Sequence, residues 1–218
     1  MKTDIQLKQD IEAELRWDPK VNAAHIGITV DQGVVSLLGA VDSYAEKVAV
    51  ENATKRVHGV RSFAQDLTVK VLEDHDRSDS DIAGAVENAL AWDVGVPKSV
   101  RAKVERSEIT LEGQVDWNFQ REGAERAVRY LQGVVAIHNR ITLKPHASPT
   151  QVKEKVEAAL HRQATTDARS IHVEISGDTV TLSGHALSWR SIRDARRAAW
   201  AAPGVTEVID HVKMWMSN

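Results

Sequence analysis

Apolar residues recur every three or four positions at the start of the chain and then at every second position. Ile11 and Leu15 lie one helical turn apart, and Thr3 precedes them as a residue type that caps helix starts. Apolar and polar residues then alternate over residues 25–30 and 35–39, as they do along a β-strand that buries one face. The pattern predicts a helix followed by a β-hairpin.

A second helix and a third strand complete the pattern. Ser43 and Glu46 have the spacing of a capping box, and the helix that they open is expected to reach Val57. Gly59 and Val60 end this helix. The strand that follows carries the apolar residues Phe63, Leu67 and Val69. The order of elements is therefore α-β-β-α-β.

This αββαβ pattern occurs three times along the 218 residues. A shift of 145 residues superimposes the first and third copies without a gap, placing Leu37 on Leu182 and Gly39 on Gly184. The middle copy matches at a shift of 75 residues and, after a one-residue deletion, at a shift of 74. The matches fall on apolar and glycine positions, as a shared core requires. The three modules are predicted to span residues 1–72, 78–146 and 148–218.

The repeat defines the predicted fold class. Each module is expected to pack its two helices on one face of a three-stranded mixed sheet, which makes the chain an α+β protein of three tandem modules. The linkers between the modules are short and polar. Because short linkers hold small domains close together, we also expect contacts between neighbouring modules.

Three features recur in each module. They are a strand that ends in glycine (Val35–Gly39 in the first module), an alanine-bearing second helix, and a Gly-Val pair before the last strand. Their order resembles the BON domain, a bacterial module associated with osmotic-stress and nodulation proteins. The last strand departs from that family, because the Asn common there is present only as Asn139, with Gln65 and Asp210 in the other copies. The resemblance implies a non-catalytic, stress-associated module that associates with phospholipid, mostly in the periplasm or at the outer envelope.

The composition excludes several classes of site. The chain has no cysteine, which rules out disulfides, thiolate metal sites and a cysteine nucleophile. It has no phosphate-cradling glycine loop, no Gly-x-Ser-x-Gly elbow and no His-Glu-x-x-His helix. We therefore expect a protein that is not an enzyme and that needs no cofactor.

Targeting signals are also missing from the pattern. No run of about 18 apolar residues predicts a membrane span. The first residues lack the apolar stretch of a secretory signal. We expect a cytoplasmic protein if Met1 is the native start, and a periplasmic protein if an export signal was removed.

Histidines raise a metal hypothesis in the third module. His172, His185 and His211 alternate with residues that point to the helices, so all three are expected on the open face of the sheet. Clustered neutral imidazoles bind zinc or nickel, whereas scattered ones only decorate a polar face. The other modules lack an equivalent triad. We predict no metal site and keep this triad as the weaker alternative.

Two tryptophans occupy equivalent positions in the first two modules. Trp17 and Trp92 each follow the last apolar position of a first helix. We expect both to be structural and to fill the junction between the helix and the hairpin.

The second helix of the third module has a distinctive charge pattern. Its core face is predicted at Ser191, Ala195, Ala198 and Ala202. A step of 100° per residue turns a second set of side chains away from this face. The second set is Trp189, Arg190, Arg193, Arg197 and Trp200, with Arg196 at the flank. Four Arg and one Asp between the two tryptophans give this stretch a net charge of 4 − 1 = +3.

Two functional interpretations fit this helix. Arginines between two aromatic residues are typical of an interfacial contact with an anionic phospholipid surface. The alternative is a cytoplasmic protein-interaction or scaffolding role, through the open sheet faces and the Trp/Arg helix. A contact between modules would use the same residues, with tryptophan packed on a neighbour and arginine paired to its acidic residues. Nucleic acid is not an expected partner, because the chain carries a net charge of −3 and its acidic remainder repels phosphate.

Overall fold

A computed structural model of the protein describes residues 2–71, 77–144, 156, 158, 170–202 and 204–214. The described residues form the helices α1 Asp4–Trp17, α2 Tyr44–Arg56, α3 Asp79–Trp92, α4 Asn118–Val128 and α5 Trp189–Trp200, and a short 3-10 turn covers Ala23–His25. Of the helices described, none has both the length and the apolar character needed to cross a membrane. The chain divides into two compact units, Met1–Glu112 with Gly123–Arg140 and Gly113–Glu122 with Ile141–Asn218.

Each module builds a sheet from the strands that its alternating segments predict. The strands are β1 Ile26–Asp31, β2 Val34–Val41, β3 Ser62–Val69, β4 Arg101–Glu105, β5 Glu108–Glu112, β6 Gln114–Val115, β7 Ala136–Asn139, β8 Thr142–Leu143, β9 Ile171–Ser176, β10 Thr179–Ala186 and β11 Glu207–Met214. In the first module β2 pairs antiparallel with β1 and parallel with β3. In the third module β10 pairs in the same way with β9 and β11. The predicted mixed sheet is confirmed.

The middle module has the same order with one interruption. β5 pairs antiparallel with β4 and parallel with β7, while β6 and β8 form a separate parallel pair. Gly113, which has a φ of 132°, lies between β5 and β6. Since parallel neighbours need a crossover connection, the second helix of each module is the element that makes the mixed sheet. The predicted α+β class is confirmed.

One face of each sheet carries the core. In β2 the buried side chains are Val35, Leu37 and Val41, and in β10 Val180 and Leu182 are buried. Helices α1 and α2 cover the first sheet with Leu7, Ile11, Leu15, Val50 and Ala53. Truncating a buried leucine to alanine in such a core costs about 2–5 kcal/mol of stability, because both apolar contact and packing are lost.

Helix starts follow the predicted chemistry with one exception. Thr3 caps α1 within a complete capping box. Ser43 caps α2 by accepting a hydrogen bond from the backbone N–H of Glu46. The carboxylate of Glu46, which is buried, accepts hydrogen bonds from the N–H of Asn22 at 2.6 Å and of Asp42 at 2.8 Å. The predicted capping box at Ser43 is therefore wrong, because this carboxylate anchors the loop that precedes β1.

A carboxylate at the start of the first helix holds the hairpin turn in two of the modules. Asp4 accepts hydrogen bonds from the N–H of Gln32 at 2.8 Å and of Gly33 at 3.0 Å. Asp79 accepts two equivalent bonds from the turn of the middle module, at 2.9 and 2.8 Å. Gln32 has a φ of 47°, a conformation that costs energy for a residue with a side chain. The two charge-assisted hydrogen bonds offset that cost. In the third module Pro149 stands at this position, outside the described residues.

Candidate functional site

Helix α5 places the residues of the predicted binding site. Ser188 begins it by accepting a hydrogen bond from the backbone N–H of Ser191 at 3.1 Å. Ser191, Ala195 and Ala198 are buried, and both alanines belong to the core cluster of the third module. The predicted core face of this helix is confirmed. The arginines between these residues therefore point to the other side.

The arginine face consists of Arg190, Arg193, Arg196 and Arg197, and all four residues are exposed. The side chain of Arg190 is 81% exposed and that of Arg196 is 56% exposed. Exposed guanidinium groups keep their hydration and remain available to an anion from outside the chain. The arginine face thus presents four exposed guanidinium groups on one helix.

Two members of the arginine face are already paired within the third module. The Nε of Arg190 lies 3.8 Å from an Oδ of Asp194, one turn along the helix. The Nε of Arg196 lies 3.9 Å from an Oδ of Asp210 in β11. Among the residues that the structure describes, the other two members have neither an ion-pair partner nor a hydrogen-bond partner for their side chains. The four arginines are therefore not equivalent.

The two tryptophans of α5 are half-buried rather than freely exposed. The indole of Trp200 packs against the core cluster of the third module. The guanidinium carbon of Arg121, a residue of α4, lies 4.6 Å from the centre of the Trp200 ring. The predicted outward orientation of Trp200 is wrong, because the residue is partly buried against the apolar cluster of its module. This contact with the middle module matches the alternative in which a tryptophan packs on a neighbouring module.

The three histidines do not form a metal centre. His172 and His211 both lie opposite Ser183, on either side of β10. His185 lies two residues further along β10 and pairs in register with Lys213. No group of three His, Asp or Glu side chains able to hold a metal ion occurs in the described part of the chain. The weaker alternative of a histidine metal site is wrong, because a serine separates two imidazoles and a lysine adjoins the third.

The predicted junction tryptophans are exposed instead of buried. Trp17 is 83% exposed and Trp92 is 86% exposed. Each is the last residue of its helix, and the next residue is an aspartate whose carboxylate accepts a backbone hydrogen bond from two residues on. The described residues around each helix end therefore leave the indole largely uncovered. The structural interpretation of both residues is therefore wrong, and the signal missed was the Trp-Asp pair that ends both helices.

Comparisons with known proteins identify the repeated module. The sequence model of the BON domain matches residues 3–71, 78–145 and 148–214. Osmotically-inducible protein Y of Escherichia coli (strain K12) is 27% identical over 147 residues, which cover 65% of this chain and 73% of that protein.

Solved structures show only a distant likeness. A structure of CdsD, a structural protein of the type III secretion system of Chlamydia trachomatis, is 13% identical and covers 96% of this chain and 92% of its own, with a TM-score of 0.29. The periplasmic domain of PrgH, a type III secretion inner membrane protein of S. typhimurium, is 12% identical, with coverages of 88% and 94% and a TM-score of 0.23.

Proposed function

The chain belongs to the BON domain family, and from this premise we propose that it is a stress-associated, non-catalytic binding protein whose arginine face contacts an anionic phospholipid surface. The observation that carries the proposal is the arginine face itself: four exposed arginines on one helix, two of them without a described partner. The stress association rests on the relative in Escherichia coli, which its name describes as osmotically inducible.

The charge distribution supports α5 as the contact surface. Residues 147–218 carry 9 − 8 = +1, whereas residues 73–146 carry 10 − 13 = −3. An anionic surface therefore attracts the third module and repels the middle one. Each basic residue near such a surface contributes about 1 kcal/mol, so two unpaired arginines contribute about 2 kcal/mol. One chain on its own would bind weakly and reversibly.

Because both tryptophans of α5 are half-buried, we expect the contact with the phospholipid surface to be mainly electrostatic. Trp200 already packs on the core and on Arg121, so inserting it into a bilayer would expose apolar surface elsewhere. Attraction between exposed charges weakens as the Debye length falls, from about 10 Å at 0.1 M salt to about 3 Å at 1 M. We therefore expect vesicle binding to disappear at high salt, with little contribution from insertion.

Co-sedimentation with vesicles tests the proposal. The wild-type chain is mixed at low salt with vesicles of phosphatidylcholine alone and with vesicles that also contain phosphatidylglycerol. We expect binding only to the anionic vesicles and its loss on replacing Arg190, Arg193 and Arg197 with glutamate. Circular dichroism of the triple variant controls for the fold, because none of the three side chains is buried. If the wild-type chain does not sediment with anionic vesicles at low salt, the proposal fails.

A protein-interaction role is the second candidate, and the exposed tryptophans favour it. Trp17 and Trp92 are presented at equivalent helix ends of the first two modules. Indole rings are large apolar groups that are enriched where proteins contact one another. Replacing both with alanine tests this candidate: a protein partner recovered with the wild-type chain should be lost, while vesicle binding stays unchanged. Loss of vesicle binding in this variant would assign the two indoles to the lipid contact instead.

A further inference from the structure

The four members of the arginine face differ in whether they already have an acidic partner among the described residues. Arg190 faces Asp194 and Arg196 faces Asp210, so part of the positive charge of the face is neutralised within the module. Arg193 and Arg197 have no such partner among the described residues and are exposed. An external anion therefore meets two unequal halves of one surface.

Arg193 and Arg197 stand four residues apart on α5. Residues at this spacing are neighbours on a helix surface, with Cβ atoms about 5–6 Å apart, and like charges there repel each other. The helix gains nothing from this pair when it folds alone. An anion held between the two guanidinium groups would turn the repulsion into attraction.

The chemistry of the pair favours a phosphate group. Guanidinium presents several N–H donors in a planar fork and forms parallel hydrogen bonds to two oxygens of a phosphate. Two forks one turn apart can engage different oxygens of the same group. A single arginine supplies only one such fork, and a lysine supplies a point charge without a fork.

The equivalent positions of the other second helices do not repeat the pair. The first module has Val48 and Asn52 there, and the middle module has Glu122 and Arg126. The pair is therefore a property of the third module alone. The first module also supplies substitutions that this helix position accepts in the same fold.

We propose that Arg193 and Arg197 form a phosphate-binding pair that takes the phosphate of a lipid headgroup. This inference rests on the proposed function, since it identifies which part of the arginine face recognises the membrane. Of the remaining arginines, Arg196 links α5 to β11 through Asp210, and Arg190 pairs with Asp194 of its own helix. Both then add only diffuse charge to the surface.

Two double variants of equal net charge test the pair. One replaces Arg193 and Arg197 with glutamine, and the other replaces Arg190 and Arg196 with glutamine. Binding to vesicles containing phosphatidylglycerol is measured at low salt. The pair predicts a loss of about 30-fold in the first variant, as expected for two basic residues at an anionic surface, and a loss several-fold smaller in the second. Equal losses in the two variants would overturn the pair, because diffuse charge alone would then explain binding.

Two further arms sharpen the result. Replacing Arg193 and Arg197 with lysine keeps the charge but removes the forks, so binding should fall well below that of the wild-type chain; unchanged binding would contradict the pair. Inorganic phosphate should displace the wild-type chain from vesicles more effectively than chloride at the same ionic strength. Equal displacement by the two salts would also contradict it.

The vesicle measurements distinguish a failure of the phosphate-binding pair from a failure of the proposed function. In the first case the wild-type chain binds anionic vesicles and the two glutamine variants weaken alike. In the second case the wild-type chain does not bind at all. Should the glutamine variant unfold, Arg193→Val with Arg197→Asn introduces the residues of the first module and provides the same measurement.

Discussion

The second helices of the first and third modules bury the same face. They differ in the side-chain pair that links each helix to the last strand, because the acidic member of the pair is on the helix in one module and on the strand in the other. In α2, Glu51 accepts a hydrogen bond from Lys55 and lies 3.5 Å from the amide nitrogen of Gln65 in β3. In α5, the equivalent position is Arg196, which faces Asp210 in β11. The negative partner is on the helix in one module and on the strand in the other. The fold therefore requires complementary groups at this pair of positions. The acidic group can stand at either position, provided that the partner residue changes with it.

The middle module follows the first. Glu125 accepts hydrogen bonds from Arg129 at 2.9 Å and from Asn139 at 3.3 Å. The third module is thus the exception, and it is also the module that carries the arginine face. Its second helix has Arg196 where the other two modules have Glu51 and Glu125, so the outer side of this helix is more basic.

The first and third modules share a glycine in the long strand, two residues before the strand ends, whereas the sequence pattern predicted that the strand ends at this glycine. Replacing it should have the largest effect. Gly39 and Gly184 have φ values of 130° and 112°, where side chains are disfavoured. An added Cβ would lie 2.0 Å from the carbonyl oxygen of His25 or of Ser170. We expect Gly39→Ala and Gly184→Ala each to cost about 3–5 kcal/mol, measured by urea unfolding and amide hydrogen exchange.

Gly27 in β1 provides the control for that prediction. Its added Cβ would meet only the carbonyl oxygen of Leu38, at 3.6 Å, which is an ordinary contact. Gly27→Ala should change the free energy of unfolding by less than about 1 kcal/mol. If either Gly39→Ala or Gly184→Ala cost as little stability as Gly27→Ala, the two modules would not share this backbone constraint.

The next largest effect is expected at the hairpin turn of the first module, which the carboxylate of Asp4 holds by two hydrogen bonds. Asp4→Ala removes two charge-assisted hydrogen bonds from the turn of the first module and should cost about 1–3 kcal/mol. Asp10→Ala, in the same helix, breaks only an exposed ion pair with Lys2 and should cost at most about 1 kcal/mol. Chemical unfolding of both variants measures the difference. Equal losses would show that the Asp4 bonds add nothing beyond a surface charge.

The sequence was sufficient for features that depend on local periodicity. The tandem repeat, the mixed sheets and the buried residues Leu37 and Leu182 follow from spacing alone, because burial and strand alternation share one period. The residue-level boundaries of the modules stay a prediction. The four exposed arginines of α5 also follow from the helical period.

Contacts between distant parts of the chain were not predictable in the same way. The bonds from Asp4 to the hairpin turn join residues 28 and 29 positions apart. The contact of Trp200 with Arg121 joins two modules. The exposure of Trp17 depends on the direction that the chain takes after its helix. A helical wheel contains none of this information, so it misplaced Trp200. The position of Trp17 after the last apolar residue of its helix did not show that the indole is exposed.

A charge reversal tests whether the helix–strand link is a property of the pair. Arg196→Glu alone places a carboxylate opposite Asp210, and we expect a loss of about 0.5–1 kcal/mol, small because the arginine is 56% exposed. Adding Asp210→Gln recreates the pair of the first module and should recover most of that loss. A double-mutant cycle from thermal unfolding measures the coupling. Additive effects would mean that the two positions are independent.

The smallest expected effect is a pH dependence that arises from an ion pair of the first module. Arg56 of α2 donates hydrogen bonds to Glu14 at 2.7 Å and to Asp18 at 2.8 Å, and the third module has Ala201 at the equivalent position. The hydrogen bond from Arg56, followed by that from the backbone of Lys20, holds the pKa of Asp18 below its ordinary value. The unfolded chain then binds the proton more tightly than the folded protein does.

The sign of the effect follows from this difference in proton binding. The stabilisation by Asp18 is fully present above the pKa of an unfolded aspartate, about 3.9, and is lost as the pH falls through the lower pKa of the folded protein. We expect Asp18→Asn to lower the free energy of unfolding at pH 7 by less than about 1 kcal/mol and to reduce its decline below pH 4. Urea unfolding of the full chain at a series of pH values measures both. An identical pH profile for Asp18→Asn and the wild-type chain would show that Arg56 does not bind this carboxylate in solution.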